Sequence, residues 1–113
     1  MYIGYKNSKL KKICKDLKSA TKVLPQNIKS DRLFVRMRDL AGFDTMADIP
    51  ADPPFRLHRW LGKRQSQWTI DIQGLYRIHF VPTGEFDSDE NGNPILATVS
   101  EIIIVDIGDF HDW

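Results

Sequence analysis

The sequence predicts an α+β fold, in which an N-terminal helical hairpin packs on a twisted, mostly antiparallel sheet. Residues 8–40 carry apolar side chains three and four positions apart, as amphipathic helices do, whereas residues 68–80 alternate apolar and polar side chains like half-buried strands. Residues 99–107 are almost continuously apolar. A chain of 113 residues fits one compact domain, and we assign residues 1–113 to it.

Two helices are predicted between a short β-prone opening, residues 2–5, and residue 43. The first spans about residues 8–20, is capped by Ser8 and buries a stripe formed by Leu10, Ile13, Cys14 and Leu17. The second follows Pro25, spans about residues 26–40 and stops near Gly42. Three prolines among residues 50–54 then predict an extended connection over residues 44–54.

The rest of the chain is predicted to be strands, at residues 55–60, 68–72, 76–80 and 99–107. A three-residue loop at residues 73–75 keeps the apolar side chains of the second and third strands on one face. It pairs Trp68 with Phe80, Ile70 with Ile78 and Ile72 with Tyr76, and it sets Asp71 opposite Arg77 and Thr69 opposite His79. The apolar run at residues 102–105 predicts a central strand that is covered on both faces.

Charge is distributed unevenly along the chain, although the net charge is only +1. Residues 1–43 contain eleven Lys and Arg against three Asp, and residues 85–113 contain eight acids and no Lys or Arg. This asymmetry favours a polyanionic or acidic partner for one surface. The alternative is two solvated surfaces that attract each other in the folded chain.

Several classes of protein are excluded by composition. Apolar runs are far shorter than the roughly 18 residues of a membrane span, and the N-terminus lacks a signal-peptide stretch, so we expect a cytoplasmic protein without membrane contact. The single cysteine excludes a disulfide framework. The histidines have cationic neighbours. Residues 87–92 match only the opening of a calcium loop, since Thr98 stands where its final Glu would be and no helical pattern flanks it. We therefore expect no metal and no cofactor.

Residues suited to catalysis fall in three segments, 55–64, 76–80 and 108–113, each on or next to a predicted strand. Cleavage of RNA by its own 2′-hydroxyl needs a base, an acid and cations on the phosphate. Two histidines, a strand arginine and a Lys-Arg loop would supply these groups, and Trp60, Phe110 and Trp113 could stack on unpaired bases.

Structural roles are equally open for most of these side chains. Arg77 can pair with Asp71, and Trp60 and Phe110 can be packing residues. Lone histidines such as His58 are more often surface residues, and the loop that carries Lys63 and Arg64 can simply be solvated.

Four separated motifs together resemble a known family. They are Phe55-Arg56-Leu57-His58 with Gly62-Lys63-Arg64, then Gln67-Trp68, then Tyr76-Arg77-Ile78-His79-Phe80, and finally Asp109-Phe110-His111. In order and spacing they resemble the HigB branch of the RelE/ParE toxins, the toxin halves of bacterial type II toxin–antitoxin pairs. The sequence departs from the family pattern at Phe110, where tyrosine is common, and at Leu61, where lysine is usual.

This resemblance implies an endonuclease that cleaves mRNA in the ribosomal A site without metal or cofactor. His58 and His111 would be the acid–base pair, Arg77 would stabilise phosphate charge and Asp109 would assist. Contacts to RNA would come from Arg56, Arg59, Trp60, Lys63, Arg64 and Phe110. The expected partners are the ribosome, mRNA and a helix-turn-helix antitoxin, with operator DNA bound only through the antitoxin.

Two other functions remain open. A ParE-like toxin would bind a protein target such as gyrase without enzymatic activity, and it would not need the histidines and Arg77. A plain nucleic-acid-binding domain would show steep salt dependence without turnover.

Overall fold

A computed structural model describes residues 1–60 and 67–109 of the chain. The described residues form strand β1 (Tyr2–Tyr5), helices α1 (Ser8–Lys15), α2 (Leu17–Val23) and α3 (Ser30–Gly42), and strands β2 (His58–Arg59), β3 (Trp68–Gln73), β4 (Tyr76–Thr83) and β5 (Glu101–Gly108). The strands form one sheet in the order β1-β5-β4-β3-β2. Only β1 and β5 pair in parallel, so the predicted α+β fold with a mostly antiparallel sheet is confirmed.

The register of β3 and β4 agrees with the prediction except next to the turn. Trp68 pairs with Phe80, Thr69 with His79, Ile70 with Ile78 and Asp71 with Arg77. The predicted pairing of Ile72 with Tyr76 is wrong, because the pairing shifts between Asp71 and Gln73 and Gln73 opposes Tyr76. The turn is thus shortened to Gly74 and Leu75, with Gly74 at a φ of 58° that glycine adopts without strain.

The core lies between the helices and one face of the sheet. It contains Leu33 and Leu40 from α3, Ile70 and Phe80 from β3 and β4, and Ile102 and Ile104 from β5. Cys14 lies in the same core as predicted, and burial raises the pKa of its thiol to about 12. Strand β5 is central, as predicted, between β1 and β4. Its alternate residues Ile103 and Val105 are only partly buried, so its second face is covered less completely than the first.

The first predicted helix is divided at Asp16, which adopts an extended conformation. Its carboxylate accepts hydrogen bonds from the hydroxyl and the backbone N–H of Ser19, caps α2 and thereby lowers the pKa of the Asp16 carboxyl. The break rotates Leu17 away from the predicted stripe, and its side chain is 62% exposed. The hairpin therefore has three helices instead of two.

Three other boundaries also differ from the prediction. The second predicted helix, now α3, begins at Ser30 because residues 25–28 form a turn, with the Ile28 N–H bonded to the Pro25 carbonyl; it ends at Gly42, near the predicted stop. The 44–54 connection contains a 3₁₀ turn at Met46–Asp48 and is not fully extended. The 55–60 strand is reduced to β2 because the N–H groups of Arg56 and Leu57 bond to the Asp52 and Pro50 carbonyls.

Strand β1 of the basic region pairs with β5 of the acidic region. The exposed lysines of α1 and α2 form no ion pair with the acidic segment 85–93 within the described residues; they are Lys9, Lys11, Lys12, Lys15, Lys18 and Lys22. In that segment Asp89 accepts hydrogen bonds from the N–H groups of Asn93 and Asn91, which lower the pKa of its carboxyl. No helix in the described ranges has the length and apolarity to cross a membrane.

Two leucines test the division of the first helix. Replacing the fully buried Leu33 with Ala should lower the free energy of unfolding by about 2–5 kcal/mol, because it leaves a cavity in the core. The same replacement at the exposed Leu17 should change it by no more than about 0.5 kcal/mol. Urea unfolding of both variants measures the difference. Equal losses would mean that Leu17 belongs to a buried stripe after all.

Candidate active site

A cleft of about 300 Å³ lies at the β2–β4 end of the sheet. Its walls are Ala51, Arg56, Leu57, His58, Trp60, Asp71 and Arg77. Asp71 and Arg77 alternate along their strands with the buried Ile70 and Ile78, so they project from the face opposite the helices. His58 pairs with Thr69 and lies on that same face. The strand ends thus bring two of the three predicted segments together.

Two arginines share one carboxylate in this cleft. Arg56 Nη1 lies 3.2 Å from Asp71 Oδ2, and Arg77 Nε lies 3.3 Å from Asp71 Oδ1. The structural role considered for Arg77, its pairing with Asp71, is therefore present. Because these contacts engage one nitrogen of each guanidinium, the rest of each group keeps donors for an anion.

Arg56 reaches the carboxylate through an unusual backbone conformation. Its φ is 50°, in the left-handed region, which costs a residue other than glycine about 1 kcal/mol or more. The bonds from the N–H groups of Arg56 and Leu57 to residues 52 and 50 hold this turn. The turn directs a side chain that is 60% exposed toward Asp71.

Trp60 forms an inner wall of the cleft. Its ring stacks on buried His79 at a centroid distance of 6.0 Å, and the His58 ring meets it edge-on at 5.3 Å. The Arg77 guanidinium lies over the same ring at 5.7 Å. Trp60 is only 8% exposed, so of its two predicted roles the structure favours packing over base stacking.

Arg59 does not reach this cleft. Successive residues of β2 point to opposite faces, and Arg59 pairs in register with Trp68. Its Nη1 donates to Asn93 Oδ1 at 2.6 Å, and its guanidinium lies 5.4 Å from the Trp68 ring centroid. The cationic side chain therefore fastens the polar 85–98 segment to the sheet, away from His58 and Arg77.

The C-terminal motif is only partly described. Asp109 directly follows β5, whose last residue, Gly108, pairs with Arg77, so the chain passes the cleft at this point. Phe110 and His111 lie outside the described residues, as do Lys63 and Arg64.

From the sequence, Asp71 is predicted only as a structural partner of Arg77. Its second contact, with Arg56, is not predicted. The register of the β3–β4 hairpin predicts the contact between Asp71 and Arg77, because it sets these two residues opposite each other. The second pair depends on the irregular turn before β2, and a left-handed arginine there leaves no pattern in the sequence.

The fold has a counterpart among solved structures. No family model matches the chain, and no curated protein matches it. A YoeB/ParE toxin from Agrobacterium tumefaciens superposes with a TM-score of 0.54 at 10% sequence identity, over 98% of this chain and 100% of that one. The chain has the fold of this toxin. At such low identity the similarity concerns the fold alone and does not distinguish a HigB branch.

Arg56 lines the cleft and Arg59 does not, and this difference can be tested directly. Replacing Arg56 with Gln should weaken the binding of inorganic phosphate about fivefold, because one cation leaves the cleft. Replacing Arg59 with Gln makes the same charge change and should leave phosphate affinity unaltered. Calorimetric titration at low salt measures both. Equal effects would show that phosphate binds without regard to the cleft.

Proposed function

We propose that this protein is the toxin of a type II toxin–antitoxin system and cleaves mRNA on the ribosome through attack by the RNA 2′-hydroxyl. The observation that carries the proposal is the cleft that combines the exposed imidazole of His58 with the guanidinium groups of Arg56 and Arg77. The similarity of fold to a YoeB/ParE toxin supports the toxin assignment.

The cleft supplies two of the three groups that this chemistry needs. The exposed imidazole of His58 can accept or donate a proton. Arg77 stands on a paired strand, where it can stabilise the charge that develops on the phosphate, and Arg56 can bind the same or the adjacent phosphate. This mechanism uses no metal or cofactor.

The third group is proposed to be His111. It follows Asp109 by two residues in the sequence. Asp109 itself follows the residue that pairs with Arg77. His111 would then serve as the second acid or base, Asp109 would assist it, and Phe110, Lys63 and Arg64 would contact the RNA.

The expected partners follow from this function. A helix-turn-helix antitoxin would silence the toxin and would alone contact operator DNA, and the ribosome would present the mRNA in the cytoplasm. The exposed lysines of α1 and α2 favour a polyanion as a partner of that surface.

A second function, non-enzymatic capture of a protein target such as gyrase, is compatible with one observation. The pairing of Arg77 with Asp71 gives both residues a structural purpose that requires no catalysis. The two functions differ in the lesion they produce, because a gyrase poison damages DNA whereas a ribosome-dependent nuclease creates new mRNA 5′ ends.

Replacing His111 or Arg77 with Ala should abolish growth arrest after induced expression and should remove the new mRNA 5′ ends, while circular dichroism shows a folded protein. The reason is that each change removes a proton-transfer or charge-stabilising group. Replacement of Arg38, an exposed arginine of α3 outside the cleft, serves as the control and should keep full toxicity.

Toxicity retained in both the His111 and the Arg77 variant would refute the nuclease. Efficient cleavage of free RNA by the purified wild-type protein would instead refute the dependence on ribosomes.

A further inference from the structure

We propose that Asp71 is a positioning residue that holds the two arginines of the cleft in place for one phosphate group, a role that rests on the proposed function. Its two carboxylate oxygens contact different guanidinium groups, Oδ2 that of Arg56 and Oδ1 that of Arg77. Arg56 comes from a turn and Arg77 from β4, so the carboxylate joins two parts of the chain that the sheet hydrogen bonds do not join directly.

The backbone of Asp71 is itself fixed from two sides. Its N–H donates to the Phe55 carbonyl at 2.8 Å, and its carbonyl accepts from Arg36 Nε at 2.8 Å. Arg36 belongs to α3, is buried, and lies over the Phe55 ring at 5.2 Å. Asp71 is therefore anchored both to the turn that carries Arg56 and to the helical layer.

The carboxylate also offsets the repulsion between the two cations. Two guanidinium groups that face one cleft repel each other, and both are drawn toward the single negative charge between them. The carboxylate and both guanidiniums carry a net charge of +1, whereas without the carboxylate they would carry +2. Asp71 therefore lowers the attraction for an anion while it fixes the geometry in which the anion is received.

Because the Asp71 carboxylate both weakens the attraction for an anion and fixes the arginines, its loss should change binding and turnover in opposite directions. Replacing Asp71 with Asn keeps the shape of the side chain and removes its charge, so polyanions should bind more tightly while Arg77 loses its fixed orientation. Catalysis depends on stabilisation in the transition state rather than on ground-state affinity. KM should therefore fall together with kcat, whereas a variant that merely lost folded protein would show lower kcat and an unchanged KM.

The experiment compares Asp71→Asn and Asp71→Glu with wild type and with Glu90→Gln. Glu90 is an exposed residue of the acidic segment, and its replacement makes the same change in net charge outside the cleft. One assay measures the affinity for a 2′-O-methyl RNA trinucleotide, which cannot attack its own phosphate. The other measures kcat and KM for cleavage of ribosome-bound mRNA.

For Asp71→Asn we expect about fivefold tighter binding of the trinucleotide and a loss in kcat of at least tenfold, with lower KM. Asp71→Glu keeps the carboxylate but displaces it by one methylene group, so kcat should fall with affinity near that of wild type. Glu90→Gln should match wild type in both assays.

Unchanged or weaker trinucleotide binding in Asp71→Asn would overturn the proposal. So would wild-type kcat in Asp71→Glu, a result that remains informative if the Asn variant does not fold. The binding assay requires no cleavage, so tighter binding of Asp71→Asn without any nuclease activity in the wild type would refute the nuclease and leave the pairing of the arginines intact.

Discussion

The contact between one carboxylate and two arginines is the interaction on which the cleft depends. Asp71 receives Arg56 from an irregular turn and Arg77 from the neighbouring strand, and its backbone is bonded to Arg36 of α3. Along the chain, Arg77, Arg56 and Arg36 lie 6, 15 and 35 residues from Asp71. The β3–β4 register is what sets Asp71 beside Arg77. A shift of this register by one residue would place Asp71 and Arg77 on opposite faces of the sheet.

The two faces of the sheet carry different kinds of side chain. The face toward the helices is filled by fully buried aliphatic residues and Phe80, which dominate the folding free energy. The other face carries Trp60 stacked on His79, with polar groups around this pair. Ion pairs as exposed as that of Arg56 add little to stability, so the geometry they impose is their main effect.

Much of the fold was predictable because hydrophobic periodicity reports burial directly. The strands at residues 68–80, their facing pairs and the end of α3 follow from it, and the pairing of Asp71 with Arg77 follows from the register. The break at Asp16 did not, because local capping by its side chain outweighed a regular apolar stripe. The position of Arg59 follows from its place next to His58, because successive strand residues point to opposite faces. The short length of β2 does not follow from the sequence pattern, because it is set by hydrogen bonds to residues 50 and 52. The left-handed turn at Arg56 is likewise specified by those contacts and not by residue type.

The most direct measurement is a crystal structure of the protein with a bound 2′-O-methyl RNA trinucleotide. We expect a phosphate within hydrogen-bond distance of both the Arg56 and the Arg77 guanidinium groups, with the His58 imidazole beside the blocked 2′-oxygen or the leaving oxygen. A trinucleotide bound instead along the lysines of α1 and α2, with the Asp71 cleft empty, would contradict the proposal that this cleft binds the RNA phosphate.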